Sequence, residues 1–361
     1  NEASFGNDTP LTVAAIVAAL TSGEGPGTHL RTALYFGSLL GALLVVLAAF
    51  PFALALRKHS ALLLSFPYAL CALLLTWRLI LIFFVQHVRQ YQGHPDPPNL
   101  FVQAYVLVCD EPAGWWWSAQ LLMWVSIACP FIYEQAAERG MPAHVSLAYC
   151  ALAFLGAVSL AFPLWFAHLL LLSPVQQCDA RASHRASWQG CTALALFSVG
   201  ALPETVEGPR WAFIIALVSL HLILVVPFVT RLSRNRMDAP KGLAASDFAL
   251  LGCCAVASHL FYSGRAYVAL GSPTLSELPQ LMLNSFVRNH CQASIAIDAV
   301  LSTLAGTIYV AHIHSISAAA LSVILAPVFS PAALLAAVAA SRQRDGAQQL
   351  SANPTCKKRK S

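Results

Sequence analysis

The chain has 361 residues, 58% hydrophobic and 10% charged, with a formal net charge of +5 and a mean hydropathy of +0.65. Soluble domains carry about 25% charged residues, so this composition excludes an ordinary soluble domain and points to an integral membrane protein. Most residues lie in or beside apolar runs, which leaves no room for a second folded domain. Backbone groups in lipid must be satisfied within each segment, so the expected fold is all-α, one bundle of about eight transmembrane helices.

Residues 1–30 form an N-terminal segment in which Glu2 and Asp8 stand where a signal peptide would be basic. Its apolar piece, Leu11 to Leu20, is too short to cross and is expected as an interfacial helix. Residues 31–341 are expected to be a single polytopic membrane domain. Stretches of about 20 apolar residues predict spans at Ala33 to Leu56, Ala61 to Val85, Trp115 to Tyr133 and Val145 to Leu172. Four more follow at Trp211 to Val229, Phe248 to Tyr262, Cys291 to Ala311 and Ile316 to Ala340. The piece Cys191 to Leu202 reads as interfacial or re-entrant, and Pro51, Pro67, Pro130, Pro163 and Pro227 predict kinks within spans.

Residues 342–361 form a polar tail ending in Lys357-Lys358-Arg359-Lys360. It resembles a dilysine-type retrieval signal of the endoplasmic reticulum, and a solvated basic tail drawn to anionic headgroups is the alternative. With the acidic N-terminus outside, eight spans put Arg57, Lys58, Arg139, Arg231, Arg234, Arg236 and Lys241 inside, as the positive-inside rule prefers. The same count leaves the basic tail outside, a conflict the sequence does not resolve. The ten cysteines form no disulfide framework, although Cys109, Cys178 and Cys191 fall in connections where one bridge could form. The Asn7-Asp8-Thr9 sequon fits an outside N-terminus.

The chain has no Asp-rich motif and no glycine-rich phosphate loop, and His312 and His314 are two apart, pointing different ways on a helix. No metal and no cofactor are expected, nor a nucleic-acid or obligate protein partner. What remains is acid, base and aromatic chemistry inside a bundle. Asp298 sits within the seventh span, where a carboxyl is a functional-site candidate by default. Cys291, Ser294, Asp298, Ser302, Tyr309 and His312 recur at helical steps and make one polar stripe facing the bundle interior. Arg78 is the strongly basic residue deep in an apolar run, and Asp298 or Glu134 is its expected ion-pair partner. Glu134 lies near a span end. Asp247 starts a helix, where a carboxylate suits the positive dipole end. His168 and His221 are lone histidines on apolar helices.

Three stretches carry a resemblance. They are Trp115-Trp116-Trp117-Ser118-Ala119-Gln120-Leu121-Leu122-Met123-Trp124 with Phe131-Ile132-Tyr133-Glu134 and then Pro142 and His144; His221 through Pro227; and Ser294 through Val300 with its aspartate. Together they resemble the fungal membrane-bound terpene cyclases of the ascofuranone-pathway type, over about Phe101 to Ala340. The chain departs from that pattern at Ala296 and Ile297, and in the turn Gln135 to Arg139.

The resemblance implies metal-independent cyclisation of a prenylated, lipophilic precursor, usually a farnesyl chain with a terminal epoxide. Asp298 would be the proton donor, a carboxyl kept neutral in a low-dielectric pocket. Glu134 would be a second acid or the base that takes the final proton, with Arg78, His221 and Asp247 in supporting roles. The expected cation-stabilising faces are Trp116, Trp124, Phe131, Phe162, Trp165, Phe261 and Tyr309, each worth roughly 0.5 to 2 kcal/mol. The alternative is a transporter or proton-coupled carrier using Asp298, Asp247 and Arg78. No inverted repeat and no pair of Gly/Pro-broken helices in matching halves is visible in its favour.

Overall fold

A computed structural model describes residues 26–91, 94, 98–172, 185–206, 208–232 and 243–352. The apolar piece Leu11 to Leu20, the sequon, Cys178 and the basic tail lie outside them. Among the described residues the regular structure is entirely helical. Four stretches are long and apolar enough to cross a membrane by length and composition: Ser60–Gln90, Trp211–Thr230, Ala245–Ala269 and His290–Ile313.

The helices are α1 (Pro26–Ala49), α2 (Phe52–Lys58), α3 (Ser65–Gln90), α4 (Leu100–Cys109), α5 (Pro112–Glu138), α6 (Ala143–Leu155) and α7 (Val158–Leu171). They continue as α8 (Arg185–Val206), α9 (Arg210–Leu232), α10 (Ala245–Ala269), α11 (Leu278–Phe286), α12 (His290–Ile313), α13 (Ile316–Phe329) and α14 (Pro331–Ala352). The Cys191 to Leu202 piece is part of the 22-residue α8, which packs along α9. The first expected span breaks at Phe50–Pro51, between α1 and α2. The polar tail is helical as far as Ala352.

Two of the eight expected spans are helical hairpins instead. The run Val145 to Leu172 divides into α6 and α7, of 13 and 14 residues. At 1.5 Å per residue each arm rises about 20 Å, short of a hydrocarbon core of about 30 Å. The arms are antiparallel: the Tyr149 hydroxyl meets His168 Nδ1 at 3.0 Å, and Arg139 Nε, just before α6, donates to the Leu172 carbonyl just after α7 at 3.3 Å. The run Ile316 to Ala340 divides at Ser330, whose φ of 82° turns the chain between α13 and α14. Ser322 of α13 shares one small cleft with Leu334, Leu335 and Val338 of α14, as an antiparallel pair requires. Gln343 of α14 then reaches Glu138 at the end of α5, at 2.8 Å.

The hairpins expose an internal repeat. A long helix, a short one, a long one and two hairpin arms occur in that order as α3 to α7 and again as α10 to α14. The packing repeats as well. Helix α3 lies on α12 as α10 lies on α5, and α7 contacts α3 and α12 as α14 contacts α10 and α5. The two halves run the same way along the bundle, since α5 and α12 are parallel: Gln292 lies against Gly114, Trp124 against Gly306, and Phe131 against Tyr309. The expectation that no broken helices occupy matching halves is therefore overturned, while the repeat is direct and not inverted. Helix α5 is buried almost all round, because it sits at the junction of the halves.

Candidate functional site

The turn at the tip of the first hairpin, with Ala157, Val158 and Ser159 buried, leaves backbone groups that need partners. Side chains from three other helices supply them. The Tyr35 hydroxyl donates to the Leu155 carbonyl, and Trp77 Nε1 donates to the Gly156 carbonyl at 2.7 Å. Across the turn, the Val158 and Ser159 amides donate to Asp298, at 3.0 Å on Oδ2 and 2.7 Å on Oδ1. Asp298 is buried on α12 and thus caps the N-terminus of α7 from another helix, where a carboxyl complements both the free N–H groups and the dipole. Only glycine fits at 156: an added Cβ would sit 2.8 Å from the Leu152 carbonyl oxygen and 3.1 Å from Leu39.

Beside this tip lies a cavity of about 280 Å³. Its walls come from α1, α3, α4, α5, the hairpin tip, α9 and α12. The lining is dominated by apolar and aromatic side chains, among them Tyr35, Trp77, Phe84, Phe101, Tyr105 and Phe154. Among the described residues, Asp298 is its one carboxyl and His221 its one imidazole, and no lysine or arginine lines it. The size and lining fit a lipophilic small molecule with a few polar anchor points.

Asp298 lines a cavity with aromatic walls, but most of its expected companions are elsewhere. Arg78 is exposed on α3 and forms no ion pair with Asp298 or Glu134 among the described residues, so the expected salt bridge is absent. Glu134 is buried near the end of α5 and accepts the Leu243 amide at 2.9 Å, ahead of α10; it does not reach the cavity. Asp247 accepts the Ala244 amide at 2.8 Å and a Gln189 amide hydrogen at 2.9 Å, which is the helix-start role expected of it. His221 lines the cavity, as a supporting role would need.

None of the seven expected aromatics lines the cavity with Asp298. Trp116 donates to Ser263 on α10 at 2.9 Å, and Trp124 packs edge-on against Phe162 at 4.2 Å. Phe131, Phe162 and Trp165 are fully buried packing residues, Tyr309 stacks on Phe166 at 4.4 Å, and Phe261 is 58% exposed. For Trp116 and Trp124 the reason is the rotation of α5. Its Trp116–Gln120–Trp124 face turns toward α10, α7 and α12, and it offers Leu121, Leu122 and Val125 to the cavity. The aromatic wall comes instead from α1, α3, α4 and α6, which the motifs had not singled out. Cys109 is a buried thiol and enters no bridge.

Comparison with protein-family models, with curated proteins and with solved structures returned no match. The function is therefore argued from the site itself.

Proposed function

We propose that the protein is a membrane-embedded enzyme that rearranges a lipophilic, prenylated small molecule by proton transfer, a metal-independent terpene cyclase of the endoplasmic reticulum. The observation that carries this reading is the cavity beside Asp298, apolar and aromatic with, among the described residues, a single carboxyl and no cationic side chain. Such a lining suits a neutral hydrocarbon-rich substrate better than a diphosphate, which would call for basic partners. Asp298 Oδ2 accepts one amide and keeps capacity for a proton that faces the cavity, because a protonated carboxyl both donates and accepts. Aromatic faces around it stabilise the developing cation, and the dry walls delay its capture by water.

The test is incubation of the purified protein in lipid nanodiscs with a farnesylated phenol bearing a terminal epoxide, followed by product analysis. Wild type consumes the substrate and forms cyclic isomers of the same mass; Asp298→Asn does not, at equal protein abundance and with a melting curve recorded beside it. Full turnover by a folded Asp298→Asn protein would refute the acid assignment.

The matched hairpins favour a second reading, a carrier. Repeats with broken helices meeting near mid-bundle are a recurring transporter arrangement. Uptake of a lipophilic solute into proteoliposomes without its chemical conversion would select that reading.

A further inference from the structure

The cyclase reading leaves one step without a residue, because Glu134, expected as a second acid or the final base, is outside the cavity. Resting on that reading, we infer that His221 is the catalytic base that ends the reaction. Its Nδ1 lies 2.8 Å from the Leu217 carbonyl oxygen one turn earlier on α9. A carbonyl only accepts, so Nδ1 carries the hydrogen, and in the neutral ring Nε2 holds the lone pair. The ring is fixed a second time by the edge of Phe154, with centroids 5.3 Å apart. Phe154 belongs to the last turn of α6, two residues before the tip glycine. Acid and base are thus both anchored to one hairpin tip, Asp298 on the start of α7 and His221 on the end of α6.

The other polar groups of the lining are weaker bases, the Tyr105 hydroxyl and the Cys291 thiol included. The Thr76 hydroxyl donates to the Ala72 carbonyl at 2.9 Å, the Ser294 hydroxyl to the Thr76 carbonyl at 2.9 Å, and the Tyr35 hydroxyl to Leu155. Trp77 offers only an N–H, already given to Gly156. Hydroxyl oxygens are far weaker bases than an imidazole, whose ordinary pKa is about 6.5.

The step balances as follows. The Asp298 proton goes to the epoxide oxygen, the C–O bond breaks, and the cation moves as successive alkene pairs form C–C bonds. A C–H beside the final cation then gives its proton to Nε2, and its electron pair becomes the new C=C. The imidazolium returns its proton through water while Asp298 regains one, so substrate and product are isomers.

His221→Asn and His221→Gln test the assignment with the same farnesylated phenol epoxide in nanodiscs. The Asn amide can keep the bond to Leu217 but is not a base, and Gln places its amide nearer the Nε2 position, so one variant serves where the other does not accumulate. Substrate consumption is expected to persist, while the wild-type alkene falls by about ten-fold or more in favour of alcohols from water capture or other alkene isomers. A wild-type product distribution in either folded variant overturns the base and leaves the acid standing. Loss of consumption with an unchanged melting curve also overturns it, because a terminal base acts after the ring-opening step. No consumption by wild type removes the acid-initiated reading itself, and this inference with it.

Discussion

Trp77 and His259 do the same job in the two halves of the bundle. Each sits on the first long helix of its half and donates a ring N–H to a carbonyl at the end of a hairpin's first arm, Trp77 to Gly156 at 2.7 Å and His259 Nε2 to Pro327 at 3.0 Å. The second ring nitrogen of His259 meets Gln120 of α5 at 3.1 Å. Gln120 is the ninth residue of α5 and Asp298 the ninth of α12. The repeat therefore extends to the polar groups that hold the tips, although the chemistry has diverged: a carboxyl reaches the first tip directly, and an amide reaches the second through an imidazole.

Removing a ring donor leaves a carbonyl without its partner inside the bundle. Trp77→Phe and His259→Phe should each lower stability by about 1–2 kcal/mol, read as an earlier thermal melt in detergent. The two tips share no partner, so the double variant should show the sum. A melt unchanged in both single variants would mean that the tips do not depend on these bonds.

Asp298 makes a sharper case because it serves two amides. Asp298→Ala leaves both Val158 and Ser159 without an acceptor, at about 1–3 kcal/mol for each, whereas Asp298→Asn keeps one oxygen for one of them. Stability should fall in the order Asp, Asn, Ala. Equal melting of the Asn and Ala variants would show that the amides are satisfied some other way, and the comparison separates the structural share of Asp298 from its share in turnover.

Gly156 is a steric requirement, not a conformational one. Its φ is −100°, which any residue can adopt, but a methyl group there meets the Leu152 carbonyl oxygen and the side chains of Leu160 and Leu39. Gly156→Ala should push the tip off α1, costing about 1–3 kcal/mol as overpacking, and Gly156→Val should cost more. Pulsed proteolysis in detergent measures it; a neutral Gly156→Val would place the tip in a looser setting than described.

The sequence made part of this visible. Asp298 stood out because a carboxyl inside an apolar run is expensive, and the same expense explains why the fold surrounds it with amides. The run Val145 to Leu172 was also longer than one crossing needs and carried Gly156 at its middle, a readable sign of a break that pattern counting merged into one span. The cavity wall was not readable. Tyr35, Phe84, Phe101 and Phe154 come from four helices, and nothing local to any of them records that their faces converge. Glu134 and His221 show the same limit in one pair: the motifs put the carboxylate in an acid or base role and the histidine in a supporting one, while tertiary packing put the histidine in the cavity and the carboxylate outside it.

The cavity's purpose can be tested apart from its acid. Ala104 lines it from α4. Ala104→Trp should fill much of the 280 Å³ and abolish turnover of a farnesyl-sized substrate while Asp298 and the tip stay intact. Retained turnover at the wild-type rate would move the reaction to another part of the molecule.

Helix α8, together with the hairpins, also changes which end of the bundle the C-terminal helix reaches. A crossing carries the chain to the other side, whereas a hairpin returns it to the side it left. Eight crossings separated the basic tail from Arg57 and Arg139. Two hairpins remove two crossings and leave the parity of that count unchanged; the 22-residue α8, which runs along α10 with Gln189 at Asp247 and Gly200 at Tyr262, adds one, so that Arg139 beside Leu172 and Gln343 beside Glu138 lie at the same end. The conflict with the positive-inside rule then disappears, because Arg57, Arg139 and the helix leading into the tail share one face. Single cysteines introduced at Arg57, His144 and Arg344, in a background without the native thiols, should react with a membrane-impermeant maleimide from one side of sealed vesicles. A cysteine at Thr274, between α10 and α11, should react from the other. Labelling of Arg344 from the same side as Thr274 would restore the eighth crossing and remove the second hairpin.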